Sequence, residues 1–295
     1  MGILKTIEPY MPPIIFKNIV KIRNRYLKFS PSPLPQIMDK KEKMVLIGNG
    51  PSLNKSIELY KDEILKYDRL VVNYFALSEQ YELLKPNFYL FVDPAFFDIP
   101  DHLHDSTNRL INAIVTKTTW KMHLCAPEGV AETPLIKAIE RNKNIEFIYF
   151  YAGKQRTGDL TQYEIWDRNL CCPPCQNSLN TGVYLSLYWG YKETYLIGVD
   201  MSSLEDIRID QETNELFSID THFYNNNQVY SDKKLFDVKH RRLCTGWTLH
   251  EYIYAYGLMF ENFYKLSKYA EYKGLKVYNA SEYSWINCFE RKKLK

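Results

Sequence analysis

Met44-Val45-Leu46-Ile47-Gly48-Asn49-Gly50-Pro51-Ser52-Leu53 concentrates more chemistry than any other stretch of the chain. Four apolar residues run into a glycine-flanked asparagine, and a polar-faced helical run follows to about residue 66. A buried strand, a tight turn and a helix start, in that order, is how α/β proteins hold a phosphate or nucleotide. Gly48 and Gly50 permit positive φ and close backbone approach. Pro51 suits a first helical position, Asn49 projects an amide from the turn, and Ser52 can cap the helix or donate. The third glycine of the dinucleotide fingerprint and the Gly-Lys-Ser/Thr of a P-loop are both missing. The turn therefore reads either as a nucleotide cradle or as a plain strand-to-helix connection.

Three further groups of residues could carry chemistry. Asn49, Asn73 and Asp93 each end an apolar run, and topology alone would gather such strand-terminal residues at one sheet edge. Thr248-Leu249-His250-Glu251 has the pattern of a capping box, which puts His250 in a first helical turn. There the helix dipole favours the neutral imidazole that a general base requires; a plain surface histidine is the alternative. Cys172-Pro173-Pro174-Cys175 beside Cys171 suggests redox or zinc chemistry, but no second Cys or His pair lies at ligand spacing. A structural role suits those cysteines better.

These residues need elements to position them. Short apolar runs at 43–47, 69–73, 87–93, 122–126, 145–149, 194–199 and 275–279 read as strands. Helical runs lie between them, at 53–66, 180–189 and 249–273, the last stopping at Gly274. Such alternation predicts an α/β fold, a mostly parallel Rossmann-like sheet with helices on both faces. Residues 200–247 break the alternation. Asp200, Glu205, Asp206, Asp210, Glu212, Glu215 and Asp220 mix there with asparagines and basic residues, without EF-hand spacing. An irregular stretch of this length is expected to be a lid, its charges mostly solvated.

With 295 residues, 45% hydrophobic and 25% charged, the chain fits one soluble α/β domain over residues 36–295. Six cations against Glu8 alone give residues 1–30 a charge of +5, leaving about −2 for the rest, so nucleic acid is not an expected partner. Residues 1–35 read as a basic amphipathic segment with a Pro-Ser linker. That segment suits peripheral contact with an anionic membrane face, or packing on the domain or on another subunit of a homo-oligomer. The segment does not have the pattern of a signal peptide and the cysteines are unpatterned, so a reducing cytoplasm is the expected compartment.

Two blocks taken together carry a family resemblance. Gly48-Asn49-Gly50-Pro51-Ser52-Leu53 is one; the other joins Asn180-Thr181-Gly182-Val183-Tyr184 to the run from Gly190 to Asp200. The pair resembles the bacterial sialyltransferases of lipooligosaccharide, and a broader group of motility-accessory-factor glycosyltransferases and 6-hydroxymethylpterin pyrophosphokinase-like proteins. Lys276 to Ser281 and Trp285, Ile286 and Phe289 look like that broader group, and the likeness spans roughly residues 43–290. It implies a GT-A-like variant of the Rossmann-like fold. By the same likeness Gly48, Asn49, Gly50 and Ser52 would hold a donor's phosphate and ribose, with Asn73, Asn180 and Thr181 facing the nucleotide. Gly182, Asp93 and Asp200 join that donor set by position. His250 aligns with the family's base, with His222 a rival, and Tyr224, Arg241 or Arg242 would support the leaving phosphate.

The departures are Asp93 for an asparagine, Tyr74 for a glutamine, Ser202 for a tyrosine and Ser178 for an arginine. The implied activity is inverting transfer of a nonulosonate or Kdo-like acidic sugar from a CMP-activated donor. The acceptor would be a glycan or lipid-linked glycan (lipopolysaccharide, lipooligosaccharide or capsule) at the inner membrane face, with no metal required. The alternatives are an ATP- and magnesium-dependent pyrophosphokinase, with Asp93, Asp200 or Asp220 on the metal, and a non-catalytic nucleotide-binding assembly protein.

Overall fold

The computed structural model describes residues 33–99, 104–152, 160–174, 176–209, 211–219, 232–234 and 247–294. The elements run β1 (Lys43–Ile47), α1 (Leu53–Lys66), β2 (Asp68–Val72), α2 (Gln80–Leu84), β3 (Phe88–Leu90), α3 (His104–Lys117) and β4 (Met122–Pro127). After these come α4 (Pro134–Ile139), β5 (Ile145–Phe150), α5 (Gln162–Asp167), α6 (Ser178–Tyr188), β6 (Glu193–Ile197), β7 (Ile207–Ile209), β8 (Leu216–Ile219) and β9 (Asp232–Lys234). The described chain closes with α7 (Leu249–Lys273), β10 (Lys276–Asn279) and β11 (Glu290–Arg291). Eight strands form one sheet in the order β11-β10-β6-β1-β2-β3-β4-β5, and every pairing in it is parallel. This is the α/β, Rossmann-like architecture that the alternation predicts.

Period-two alternation divides the strand residues between two cores. Leu46, Leu70, Leu90 and Leu196 face a layer that contains Trp166 of α5, Tyr184 of α6 and Phe263 of α7. Val45, Ile47, Val71 and Leu124 face the opposite layer, with Ile57 of α1, Leu110 of α3 and Ile136 of α4. Each fully buried side chain of this kind contributes on the order of 2 kcal/mol. Helix α6 is buried on all sides, and a Cβ at Gly182 would lie 2.9 Å from Leu46 Cδ1. Glycine is what lets α6 rest directly on β1.

Two expectations are corrected. α6 begins at Ser178, because the Asn177 side chain accepts the Leu179 N–H and caps the helix. Residues 200–247 are not irregular throughout, since β7, β8 and β9 pair there as a small antiparallel sheet. Gly48 and Gly50 do not use the positive φ open to them, whereas Gly198, against which they pack, has φ +61°. No helix among the described residues is long and apolar enough to cross a membrane. The basic segment 1–30 lies outside those residues.

Candidate active site at the carboxyl edge

β1 and β6 are neighbours in the sheet, so the turn after β1 lies against the end of β6. Gly48 N–H donates to Ile197 O (2.9 Å) and Gly50 N–H to Gly198 O (2.8 Å). A Cβ on Gly48 would fall 2.3 Å from Gly198 O, and one on Gly50 would fall 2.4 Å from Asp200 Oδ1. Both glycines are required by close approach rather than by φ. The Ser52 amide donates to Asp200 Oδ2 (2.9 Å) and the Ser52 hydroxyl to Asp200 Oδ1 (2.6 Å). A carboxylate 148 residues away thus sits on the N-terminus of α1, where the helix dipole favours a negative charge. Burial pushes the Asp200 carboxyl up, and the two Ser52 hydrogen bonds pull it back part of the way.

Above this floor is a cleft of about 270 Å³ lined by Asn49, Asn73, Asn177, Ser178, Asp200, Met201, Ser202, Ser203 and Tyr256, with Gly50, Pro51, Val72, Leu179 and Gly198. Asn49 is 8% exposed and its Nδ2 donates to Val72 O (3.2 Å). A carbonyl only accepts, so that bond fixes the amide's orientation and leaves Oδ1 as the other end. Asn49 Oδ1 is buried and has no hydrogen-bond partner among the described residues. Asn73 Oδ1 accepts from Ser178 Oγ (3.1 Å), which joins the end of β2 to the start of α6. Asn73 (φ +53°) and Met201 (φ +51°) both hold left-handed backbone at this edge. For a methionine that conformation is strained, and such strain gathers at functional sites.

The predicted residues divide into three groups. Asn49, Gly50, Asn73 and Asp200 line the cleft, with Gly48 and Ser52 directly behind it. Asn180, Thr181 and Gly182 are buried within α6 and do not line it; Asn180 Nδ2 donates to Met259 O (3.5 Å). Asp93 is exposed at the carboxyl edge, where it accepts the Ala95 N–H (2.9 Å) at the start of a short turn of 3-10 helix. Tyr74 packs its ring on Phe96 at 5.1 Å. The capping box at Thr248 and Glu251 is present, and it exposes His250 on the first turn of α7 with its ring stacked near Tyr254 (6.4 Å). The residue α7 sends into the cleft is Tyr256. Six positions separate it from His250, about 9 Å along the helix and about 120° around it. His222, Tyr224, Arg241, Arg242, Asp220 and Cys175 lie outside the described residues.

Asn177, Ser203, Met201 and Tyr256 complete the cleft without having been anticipated. Only Asn177 had a local signal, an Asx residue ahead of an apolar helix. Among the described residues no group of three or more His, Cys, Asp or Glu side chains is placed to hold a metal ion. Cys172 is buried in the core, and Cys171 Sγ donates to Cys172 O (3.0 Å).

A larger hollow of about 510 Å³ lies at the amino edge, between residues 35–40 and the starts of β2 to β5. Several of its polar groups are turned on one another, while His123 Nδ1 is buried without a hydrogen-bond partner among the described residues and lies 3.6 Å from Glu146 Oε2. Asp68 accepts from the Lys41 amide (2.8 Å) and the Tyr191 hydroxyl (2.7 Å), and Asn87 accepts the Arg69 N–H (3.0 Å).

The architecture is similar to that of a solved structure, a MAf glycosyltransferase from Magnetospirillum magneticum AMB-1, with a TM-score of 0.50 and 14% identity. The match covers 94% of this chain and 38% of that one, so the chain spans well under half the length of that protein. No family model matches the chain, and no curated protein matches it. The likeness is one of fold: a parallel α/β sheet shared with a glycosyltransferase.

Proposed function

We propose that the chain is a glycosyltransferase and that the carboxyl-edge cleft holds its nucleotide-sugar donor. The observation that carries this reading is Asn49 Oδ1, a buried acceptor of fixed orientation, unpartnered, in a polar cleft at the edge where parallel sheets take ligands. A phosphate has only acceptors to offer at neutral pH. An amide oxygen in a cleft that Asp200 also lines suits a donor group instead, such as a ribose hydroxyl. In this reading the turn grips the nucleoside, and the phosphate points outward to the hydroxyls of Ser202 and Ser203. Tyr256 closes the side of the cleft nearest α7.

The donor would be a CMP-activated nonulosonate or related acidic sugar, and the acceptor a bacterial surface glycan on lipid at the inner membrane face. Cytidine monophosphate leaves without needing a proton, so hydrogen bonds to the phosphate suffice on that side. The acceptor hydroxyl attacks the anomeric carbon from the opposite face and gives its proton to a histidine, His250 or His222, with inversion. The chemistry requires no metal. The pyrophosphokinase alternative would recruit Asp93, already capping Ala95, Asp200, whose two oxygens both receive Ser52, or Asp220, which lies outside the described residues. The chain's own test is a screen of CMP-activated sugars read by mass spectrometry, with His250→Ala and His222→Ala alongside. Loss of turnover in one histidine variant is expected; turnover only with ATP and magnesium would sink the proposal.

A further inference from the structure

Beside the cleft, the loop after β10 displays two large aromatic side chains: Tyr283 is 46% exposed and Trp285 is 38% exposed. Neither is loosely held. The Trp285 amide donates to Asp200 O (2.8 Å), and the Ser284 hydroxyl donates to Val199 O (2.7 Å). Asn279 Nδ2 donates to Ile286 O (2.8 Å), and Ile286 itself is buried. The loop is thereby fixed to the same end of β6 whose Asp200 forms the floor of the cleft. The polar edges of the two rings converge on one carboxylate: Trp285 Nε1 donates to Glu205 Oε1 (2.8 Å), and the Tyr283 hydroxyl donates to the same oxygen. Trp285 Nε1 also lies 3.0 Å from the Tyr283 oxygen. Glu205 follows the cleft-lining Ser202 and Ser203 by two residues. An ordered aromatic pair left in water forgoes a burial term that other tryptophans of the chain, Trp166 and Trp189, take in full.

We propose that Tyr283 and Trp285, set by Glu205, form a platform on which a pyranose ring of the acceptor glycan stacks at the mouth of the cleft. A pyranose presents a face of C–H bonds that is complementary to the negative face of an aromatic ring, while its hydroxyls need polar neighbours at the rim. Rings bordered by a carboxylate provide both. The rim mixes charge, since Glu282 stands next to Tyr283, accepts from the Tyr60 hydroxyl (3.1 Å) and pairs with Lys55 at 4.0 Å, so it lacks the uncompensated cations that an anionic membrane would require. Two rings are also far less than the extended apolar area of a protein interface. The proposal rests on the glycosyltransferase reading, because it makes the bound sugar the acceptor.

The test uses the full chain on an array of oligosaccharides ending in glucose, galactose, N-acetylhexosamine or heptose, with vesicles of phosphatidylglycerol and phosphatidylethanolamine as a second probe. At least one terminal sugar should be retained, at least tenfold more weakly by Trp285→Ala and by Tyr283→Ala. Trp285→Phe, which keeps a ring but loses the Glu205 bond, should stay within about threefold of the wild type. That conservative variant guards against an alanine variant that merely fails to fold. The proposal is overturned if no glycan is retained, if both alanine variants bind as the wild type does, or if the Trp285 emission responds to vesicles instead. CMP binding by the wild-type chain, measured in parallel, separates the two claims. CMP bound without glycan removes the platform alone, and glycan bound without CMP removes the donor reading.

Discussion

At the amino edge of the eight-stranded sheet, charge meets charge. Lys43 Nζ lies 2.8 Å from Glu193 Oε2 and Lys292 Nζ 3.4 Å from Glu193 Oε1, while the Tyr195 hydroxyl donates to the same carboxylate (2.7 Å). At the carboxyl edge the side chains are mainly amides and hydroxyls beside the Asp200 carboxylate, Asn73 and Met201 hold left-handed backbone, and the Asn49 amide oxygen has no partner among the described residues. The same strands supply both edges. What separates them is the kind of polar group each presents: paired charges at the starts of the strands on one edge, amides, hydroxyls and left-handed backbone around a cleft on the other. Paired charges of the first kind stabilise the fold, whereas left-handed non-glycine backbone of the second kind costs stability.

This contrast can be broken by substitution, beginning with the largest effect. Gly48→Ala and Gly50→Ala drive a Cβ into Gly198 O or the Asp200 carboxylate, both held by hydrogen bonds. A loss of about 3 kcal/mol or more in urea unfolding is expected, together with loss of nucleotide binding. A stable, fully binding Gly48→Ala chain would contradict the close-approach account of the turn.

Glu193 comes next. Burial alone would raise its carboxyl, but hydrogen bonds from Lys43 and Tyr195 and the charge of Lys292 outweigh that and hold it at about 2. A depressed carboxyl stabilises the fold fully above its ordinary value of 4.5, and that stabilisation disappears as pH falls from there towards 2. Glu193→Gln should therefore lower stability by about 2 kcal/mol at neutral pH and flatten the acid limb of a Tm-against-pH curve. CMP affinity should not change, since Glu193 is at the far edge. A parallel pair of Tm curves would show that the charged edge does not stabilise the fold in this way.

Lys85 ends α2 with φ +43°, at the approach to the amino end of β3. Lys85→Gly should raise stability by about 0.5–1 kcal/mol, because glycine relieves the left-handed strain and no cleft residue is touched. Chemical denaturation reads this directly, and a loss of stability would argue against strain at that cap. Asn49→Ala is expected to move stability least, within about 1 kcal/mol, since it removes an unsatisfied oxygen as well as one hydrogen bond. Its effect should appear in binding.

Much of this architecture was legible in the sequence, for reasons that are local. The apolar run into Gly48 marked β1 and the turn, and Thr248 with Glu251 marked the start of α7, both being signals within a few residues. The cleft was harder to read, because its partners meet only through the sheet. Ser52 and Asp200 are brought together by the β1–β6 pairing, and Asn73 and Ser178 by the packing of α6 beside β2. Tyr256 belongs to the cleft because of how α7 is rotated against α6, a choice that the mixed aromatic pattern of α7 leaves open. The block at Asn180, Thr181 and Gly182 resembled a binding motif, yet its small residues are what an all-round buried helix needs to lie on β1. β7, β8 and β9 escaped notice because each is three or four residues long within a polar stretch.

The claim that the carboxyl edge is kept open for a nucleotide is tested most directly by calorimetry of the full chain with CMP, CTP and ATP, each in EDTA and in magnesium. The account predicts CMP binding that is indifferent to EDTA and at least tenfold weaker in Asn49→Ala, the loss of about one hydrogen bond to a buried acceptor. Binding that requires ATP with magnesium, or CMP affinity equal in the wild type and Asn49→Ala, would contradict it.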